Sequence, residues 1–136
     1  MIKVIVGSKG SGKTARLVDD LNMQAYSDAA NVVCIERGRR LDRLVKYQIR
    51  LVDISEYPIT GFRELLAFVA GISAKDYDLT HIYIDSIFKV ANDTSMISLE
   101  KFLSDLEGFT EKNNFNVTII LSADPEALPE SIRRFT

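Results

Sequence analysis

Short runs of β-branched and apolar residues alternate along the chain with stretches in which apolar residues recur every three or four positions. The runs predict strands over residues 2–6, 31–36, 49–54, 81–85 and 116–121. The stretches predict helices over residues 12–25, 40–46 and 60–71, a longer helix from Ser98, and short helical turns after Asp124 and at Pro129. This alternation is typical of an α/β fold with a mostly parallel sheet.

Polar residues next to the apolar stripes predict where two of the helices begin and end. Thr60 and Ser98 precede such stripes, and side chains of these types accept hydrogen bonds from first-turn amides, so each is predicted to be an N-cap. Asn113 and Asn114 are predicted to end the helix that begins at Ser98. The polar segment 91–95 before that helix is predicted to be a loop.

Composition narrows the class of protein. The 136 residues are 46% hydrophobic and 26% charged, which predicts one folded domain over residues 1–136. Lys plus Arg number 17 and Asp plus Glu 19, a net charge of −2, so binding of nucleic acid through overall charge is disfavoured. The single Cys34 excludes an internal disulfide and suggests a cytoplasmic protein. Apolar runs fall short of the roughly 20 residues that cross a bilayer, so no membrane partner is expected.

The turn after the first strand has a composition suited to holding phosphate. Residues 7–14 fit the pattern G-x-x-x-x-G-K-[ST], and they consist of Gly7, Ser8, Lys9, Gly10, Ser11, Gly12, Lys13 and Thr14. Glycines allow successive amide groups to point inward around a phosphate, and the following helix adds its positive end. Lys13 can reach the β- and γ-phosphates, and the Thr14 hydroxyl can hold Mg²⁺. The segment predicts a nucleoside triphosphate site; the alternative is a glycine-rich turn that matches by chance.

A carboxylate follows the fourth strand, in the segment Ile84-Asp85-Ser86. The carboxyl ends of parallel strands are where open α/β sheets bind ligands. Asp85 is therefore predicted to act on the metal side of the site, accepting from Mg²⁺-bound water or from Thr14. The alternative is a strand-ending Asp that caps the next turn.

In these features the chain resembles the RecA-like branch of P-loop ATPases. The resemblance rests on residues 7–14, called the phosphate loop from here on, and on three strand ends. The second strand ends at Glu36, the fourth leads into the Asp85-Ser86 step, and the fifth is followed by Ser122. The chain is also similar to small bacterial proteins described only as ATP-binding, whose activity is undefined. The resemblance implies a three-layer P-loop NTPase fold with a five-stranded sheet in the order 1-5-4-2-3, and ATP and Mg²⁺ as cofactors.

The resemblance also implies roles for individual residues. Glu36 lies where RecA-like ATPases carry the carboxylate that polarises the attacking water, so Glu36 and Lys13 are the predicted catalytic residues. Ser122 lies where a polar residue senses the γ-phosphate, although it is shorter than the Gln or Asn often found there. The alternative for Glu36 is a solvated strand end paired with Arg37 or Arg39.

The resemblance places the apolar strand 2–6 at one edge of the sheet, where RecA-like sheets usually have further strands. Exposed apolar edges promote pairing with other chains and are normally covered. We therefore expect the C-terminal segment, or a second copy of the chain in a homo-oligomer, to shield this edge.

Basic residues cluster after the second strand. They are Arg37, Arg39, Arg40, Arg43, Lys46 and Arg50, and on a helix four of them, Arg39, Arg43, Lys46 and Arg50, would share one face. The cluster is either a solvated basic face or an anion site for a phosphate, a partner or single-stranded nucleic acid. Base stacking is weakly supported, because Tyr47 is the aromatic residue among these charges.

Arg133 and Arg134 are predicted to be helix-end charges rather than arginine fingers.

Three functions fit the sequence. The first is a slow Mg²⁺-dependent ATPase, the second a small nucleoside or nucleotide kinase, and the third a nucleotide-binding switch or assembly module that does not hydrolyse its ligand. Phosphate release with ATP alone separates the first from the other two.

Overall fold

The computed structural model describes residues 1–27 and 29–136, and five parallel strands form its central sheet. They are β1 (Ile2–Gly7), β2 (Val32–Glu36), β3 (Arg50–Asp53), β4 (His81–Ile84) and β5 (Asn116–Ser122). Their order is β1-β5-β4-β2-β3, and every adjacent pair is parallel. The predicted fold class and strand order are confirmed.

Helices cover both faces of the sheet. They are α1 (Lys13–Gln24), α2 (Phe62–Lys75), α3 (Ile87–Ala91), α4 (Met96–Asn113) and α5 (Glu130–Arg133), with 3-10 turns at Ile54–Glu56 and Pro125–Ala127. Apolar residues of α1 pack on one face of the sheet, and those of α2, α3 and α4 pack on the other. Within the described residues, no helix combines the length and apolar character needed to cross a membrane.

The core on the α1 face is the smaller of the two and lies beneath the candidate site. Leu17 and Leu21 of α1 pack there against the alternate residues of the central strands, including Cys34 and Tyr83. Leu41, from the connection between β2 and β3, completes this core. Strand side chains alternate between the two faces of a sheet, so residues two positions apart lie on the same face. Glu36 comes two positions after Cys34, and Asp85 two positions after Tyr83, so both carboxylates lie on the α1 side.

The predicted helix over residues 40–46 is wrong, because this segment is a series of turns. Side chains from outside the segment bind its backbone groups and so compete with a helical ladder. The Glu36 carboxylate accepts from the amide of Leu41, and Asn22 of α1 binds both the Leu44 carbonyl and the Lys46 amide.

Both predicted N-caps are displaced, the first by one residue and the second by three. Helix α2 begins after Gly61, and the Thr60 amide donates to the Glu64 carboxylate instead of its hydroxyl capping the helix. Helix α4 begins after Ser95, whose hydroxyl accepts from the Ser98 amide. The short helix α3 is not predicted by the sequence, because its five residues are too few to show a helical period. Asn114 ends α4 in a left-handed conformation, as expected.

The C-terminal segment lies against the edge of β1. The Val4 amide donates to the Phe135 carbonyl at 2.9 Å, and the side chains of Ile132 and Phe135 are buried. Arg134 forms a bidentate ion pair with Glu107 of α4, in which its two terminal guanidinium nitrogens lie 2.9 and 3.0 Å from the carboxylate oxygens. The expectation that this segment shields the apolar edge is confirmed.

Candidate functional site

The loop between β1 and α1 has the backbone conformation that its glycines allow. Gly10 and Gly12 adopt φ angles of 84° and 87°, which lie in the left-handed region and strain residues that carry a Cβ. Gly12 is the N-cap residue of α1, so the loop runs directly into the amino end of that helix. First-turn amides of a helix lack intrahelical partners and therefore remain donors for a ligand.

Lys13 lies inside this loop. Its side chain is only 8% exposed, and its ammonium donates to the Ser8 carbonyl at 2.7 Å. A longer contact of 3.5 Å joins the ammonium to the Ser11 hydroxyl. A Cβ added at Gly7 would lie 2.5 Å from the same hydroxyl, so the loop closes tightly at its base. The loop is therefore folded around a positive charge, with Thr14 next to it in the first turn of α1.

Ser122 lies beside the phosphate loop. It pairs in register with Gly7, and the next amide, from Ala123, donates to the Gly7 carbonyl at 3.1 Å. An open cleft of about 580 Å³ extends from this point. Its lining includes Ser8, Lys9 and Ser122. The proximity of Ser122 to the loop agrees with its predicted position, and its sensor role stays a prediction.

Asp85 is a buried carboxylate at the end of β4. Its amide donates to the Ile35 carbonyl at 3.0 Å, so the residue continues the ladder between β4 and β2. Its side chain is 1% exposed, and its Oδ2 lies 3.6 Å from the guanidinium of Arg40. Burial raises the pKa of Asp85, and the positive charges of Arg40, Lys89 and Lys13 oppose that rise.

Glu36 is a second buried carboxylate, on the neighbouring strand. Its side chain is 2% exposed, and its Oε2 accepts from the Leu41 amide at 3.2 Å. Burial raises its pKa, and the negative charge of Asp85 adds to the rise. The alternative of a solvated strand end paired with Arg37 or Arg39 is wrong, because Arg37 donates to carbonyls of α3 and Arg39 pairs with Glu56.

One oxygen of each carboxylate lacks a hydrogen-bond partner. Over residues 1–27 and 29–136, the buried side-chain nitrogen and oxygen atoms without such a partner are Glu36 Oε1 and Asp85 Oδ2. Buried polar atoms of this kind cost free energy and are expected to meet a ligand, an ion or water. The two carboxylates belong to adjacent strands and follow on the face that carries α1, the helix that begins at the phosphate loop.

The donor set suits Mg²⁺ bound together with phosphate. A carboxylate oxygen and a hydroxyl, from Asp85 and Thr14, are hard ligands of the type this ion prefers. In the described part of the chain, no group of three or more His, Cys, Asp or Glu residues is arranged to hold a metal by itself. Such a site needs phosphate and water oxygens to complete the shell, which is how proteins usually bind Mg²⁺.

The basic cluster does not form the predicted helical face. Arg37 is bound to carbonyls of α3 and Arg39 to Glu56, while the ammonium of Lys46 lies 4.9 Å from the centroid of the Tyr26 ring. Arg40 is the residue of this cluster that contacts a candidate site residue, and that residue is Asp85. The sequence carried a weak signal for this contact, since Arg40 lies four positions after Glu36 at the carboxyl end of β2.

The two C-terminal arginines are both engaged away from the site. Arg133 donates to the Glu126 and Leu128 carbonyls, and Arg134 pairs with Glu107. These contacts fix both side chains near the C-terminal segment, and their role as helix-end charges stays a prediction.

A larger cleft lies elsewhere, between β3 and α2. It has a volume of about 750 Å³, and its lining includes Val52, Tyr57 and Phe68. None of the predicted site residues lines it, so cavity size alone would have led away from the phosphate loop.

Comparison with known proteins gives no further assignment. No protein-family model matches the chain, and no curated protein matches it at a significant level.

Proposed function

We propose that this protein binds ATP together with Mg²⁺ and hydrolyses it slowly, in the manner of a RecA-like P-loop ATPase. The observation that carries the proposal is the loop of residues 7–14 folded around the Lys13 ammonium. The two buried carboxylates with unpartnered oxygens support it.

The phosphate loop supplies the binding energy for the triphosphate tail. Amides of the loop and of the first turn of α1 donate to phosphate oxygens, and the partial positive charge of the helix end adds to the attraction. The Lys13 ammonium exchanges the Ser8 carbonyl for phosphate oxygens, which are charged and therefore stronger acceptors.

Thr14 and Asp85 would hold the metal ion. Bound Mg²⁺ neutralises charge on the phosphates. Asp85 is suited to this role because its Oδ2 is buried without a hydrogen bond, so a cation and its water shell would satisfy it. Thr14 offers its hydroxyl from the residue after Lys13, next to the bound phosphates.

Glu36 orients the attacking water. Its Oε2 is fixed by the Leu41 amide, which leaves Oε1 free to accept a hydrogen bond from water. The water oxygen bonds to the γ-phosphorus as the bond to the β–γ bridging oxygen breaks, giving ADP and inorganic phosphate. The proton that the water loses passes to Glu36 Oε1 and from there to solvent. Hydrolysis then depends on positioning and charge neutralisation, as in other phosphoryl transfers.

ATP is proposed because it is the nucleotide that RecA-like ATPases use; the guanine-recognition sequence Asn-Lys-x-Asp does not occur in the chain, but this absence alone does not select adenine. Adenine recognition has no comparably specific sequence signal, so the choice of base needs a direct comparison of the two nucleotides.

The test is a titration of Mg·ATP and Mg·GTP against wild type and Lys13→Ala, together with phosphate release. We expect Lys13→Ala to lose about tenfold or more in nucleotide affinity, because charged hydrogen bonds contribute roughly 1.5–3 kcal/mol. Lys112→Ala, which removes an exposed lysine of α4, is the matched control and should behave as wild type. Wild type that binds neither nucleotide would overturn the proposal. Tight binding without phosphate release would overturn the ATPase and leave a nucleotide switch or a kinase.

A further inference from the structure

The connection after β2 carries an arginine on a well-anchored backbone. The Gly38 amide donates to Asp53 at 2.8 Å, and the Leu41 amide donates to Glu36. Leu41 itself is fully buried in the core on the α1 face. Arg40 lies between these anchor points, so its backbone is fixed while its side chain extends outward.

The guanidinium of Arg40 lies at the protein surface and contacts a buried carboxylate of the site. Its side chain is 61% exposed, whereas that of Asp85, its partner at 3.6 Å, is 1% exposed. At this distance the contact is an ion pair without a hydrogen bond, so the Asp85 Oδ2 is neutralised yet remains without a hydrogen-bond partner. An exposed arginine held this loosely can leave the carboxylate when a stronger cation arrives.

Two other arginines of the connection are committed to different contacts. Arg37 donates from its Nε to the Lys89 carbonyl of α3 at 2.7 Å, and Arg39 pairs with Glu56. Both contacts hold the connection in place, whereas the contact of Arg40 joins it to a candidate metal-site residue.

We propose that Arg40 makes the site selective for a nucleoside triphosphate over a diphosphate, an inference that rests on the proposed function. Without nucleotide, Arg40 neutralises Asp85. When Mg²⁺ takes its place beside Asp85, the guanidinium turns to the terminal phosphate of the triphosphate.

The exchange follows from charge and geometry. Mg²⁺ and a guanidinium repel one another beside the same carboxylate, and the divalent ion is the stronger competitor for it. The displaced guanidinium has five donors in a planar fork that matches phosphate oxygens. A diphosphate lacks the terminal group, so Arg40 gains no partner in exchange for the one it loses.

Calorimetric titration of wild type, Arg40→Ala and Arg43→Ala tests this inference. Each protein is titrated in the presence of Mg²⁺ with ADP and with a β,γ-imido ATP analogue that is not hydrolysed. We expect Arg40→Ala to weaken analogue binding by about tenfold to a hundredfold, the value of a charged hydrogen bond. Its ADP affinity should equal or exceed that of wild type, because the variant has no Asp85 contact to lose when Mg²⁺ binds. Arg43 is exposed in the same connection, and its variant should keep the wild-type preference.

Three outcomes would overturn the inference. Arg40→Ala with an unchanged preference for the analogue shows that Arg40 does not read the terminal phosphate. Tighter binding of the analogue by Arg40→Ala shows that Arg40 only competes with Mg²⁺. Wild type that binds neither ligand overturns the proposed function as well, whereas the first two outcomes leave that function intact. Because Arg40 is exposed, its variant should fold, which circular dichroism checks.

Discussion

At the scale of single residues, the site is defined by groups that are costly to bury. Lys13, Glu36 and Asp85 are all less than one-tenth exposed, and the two carboxylates each keep an oxygen without a hydrogen bond. Stability alone does not favour such an arrangement, since burying charge without full compensation is unfavourable. Buried carboxylates whose pKa is raised, as that of Glu36 and of Asp85 is, are concentrated at functional sites.

Replacement of Glu36 by Gln tests the role of its free oxygen. The amide can still accept from Leu41, so the fold and nucleotide affinity should be retained. Turnover should fall by about 10²–10⁴-fold, the usual contribution of a positioned acid–base group. Phosphate release and nucleotide titration on the same preparations measure both quantities. An unchanged rate of phosphate release would show that Glu36 is structural.

The same variant should also change how the free energy of unfolding depends on pH. The pKa of Glu36 is raised in the folded protein from its ordinary value of 4.5, so the folded state binds the proton more tightly than the unfolded chain. The contribution of Glu36 to wild-type stability is therefore lost as the pH rises from the ordinary pKa of this carboxyl through its raised pKa in the folded protein. Glu36→Gln has no such titration, so it does not show this loss. The free energy of unfolding of the variant minus that of wild type should therefore be more positive at pH 8 than at pH 4. Urea unfolding at both pH values measures it, and an equal difference at the two values would contradict the prediction.

The sequence predicted some of these residues better than others. Lys13 and Asp85 could be placed because a motif and a strand end fix their positions. The burial of Glu36 could not, because it depends on the connection folding back and on the Leu41 amide binding the carboxylate. The contact between Arg40 and Asp85 depends on the same fold-back.

At the scale of elements, the connection between β2 and β3 departs most from its sequence pattern. The apolar residues Leu41, Leu44 and Val45 suggest one face of a helix, yet Leu41 is buried and Leu44 is 53% exposed. Contacts from Glu36 and Asn22 fix the backbone in turns, and those contacts join residues that no local pattern relates.

Leu41→Ala and Leu44→Ala are a matched pair that tests this anchoring. Leu41→Ala should cost about 2–5 kcal/mol of stability, because it leaves a cavity in the core on the α1 face. Leu44→Ala should cost little, since its side chain is already half in solvent. Urea unfolding of both variants measures the difference. Equal losses would show that Leu41 does not anchor the connection.

The C-terminal segment is the second element with a specific consequence. It pairs with β1 through the bond between Val4 and Phe135, and it is fastened to α4 through Arg134 and Glu107. Deletion of residues 130–136 should expose the apolar edge and cause concentration-dependent self-association, because free strand edges pair with one another. Deletion of the exposed Thr136 alone is the control. Sedimentation velocity measures the association, and a monomeric truncated protein would contradict the prediction.

At the scale of the whole molecule, the strand order brings the site together. β1 carries the phosphate loop at one edge, and β4 and β2 place Asp85 and Glu36 toward the middle of the sheet. The carboxyl ends of parallel strands lie at the same edge, so residues far apart in the chain converge there. The alternation of strands and helices predicted the α/β class, and the implied order 1-5-4-2-3 came from the resemblance to RecA-like ATPases. The contact of the final segment with β1 was one of two alternatives, and the structure shows that contact between Val4 and Phe135.

The most direct test of the central claim is amide NMR of the phosphate loop. The claim is that the backbone of residues 8–14 surrounds a phosphate tail. Addition of Mg·ATP should shift the amide signals of Gly10, Gly12, Lys13 and Thr14 more than those elsewhere, and adenosine, which lacks the phosphates, should leave them unchanged. Loop signals that ignore Mg·ATP, or that respond equally to adenosine, would contradict the account.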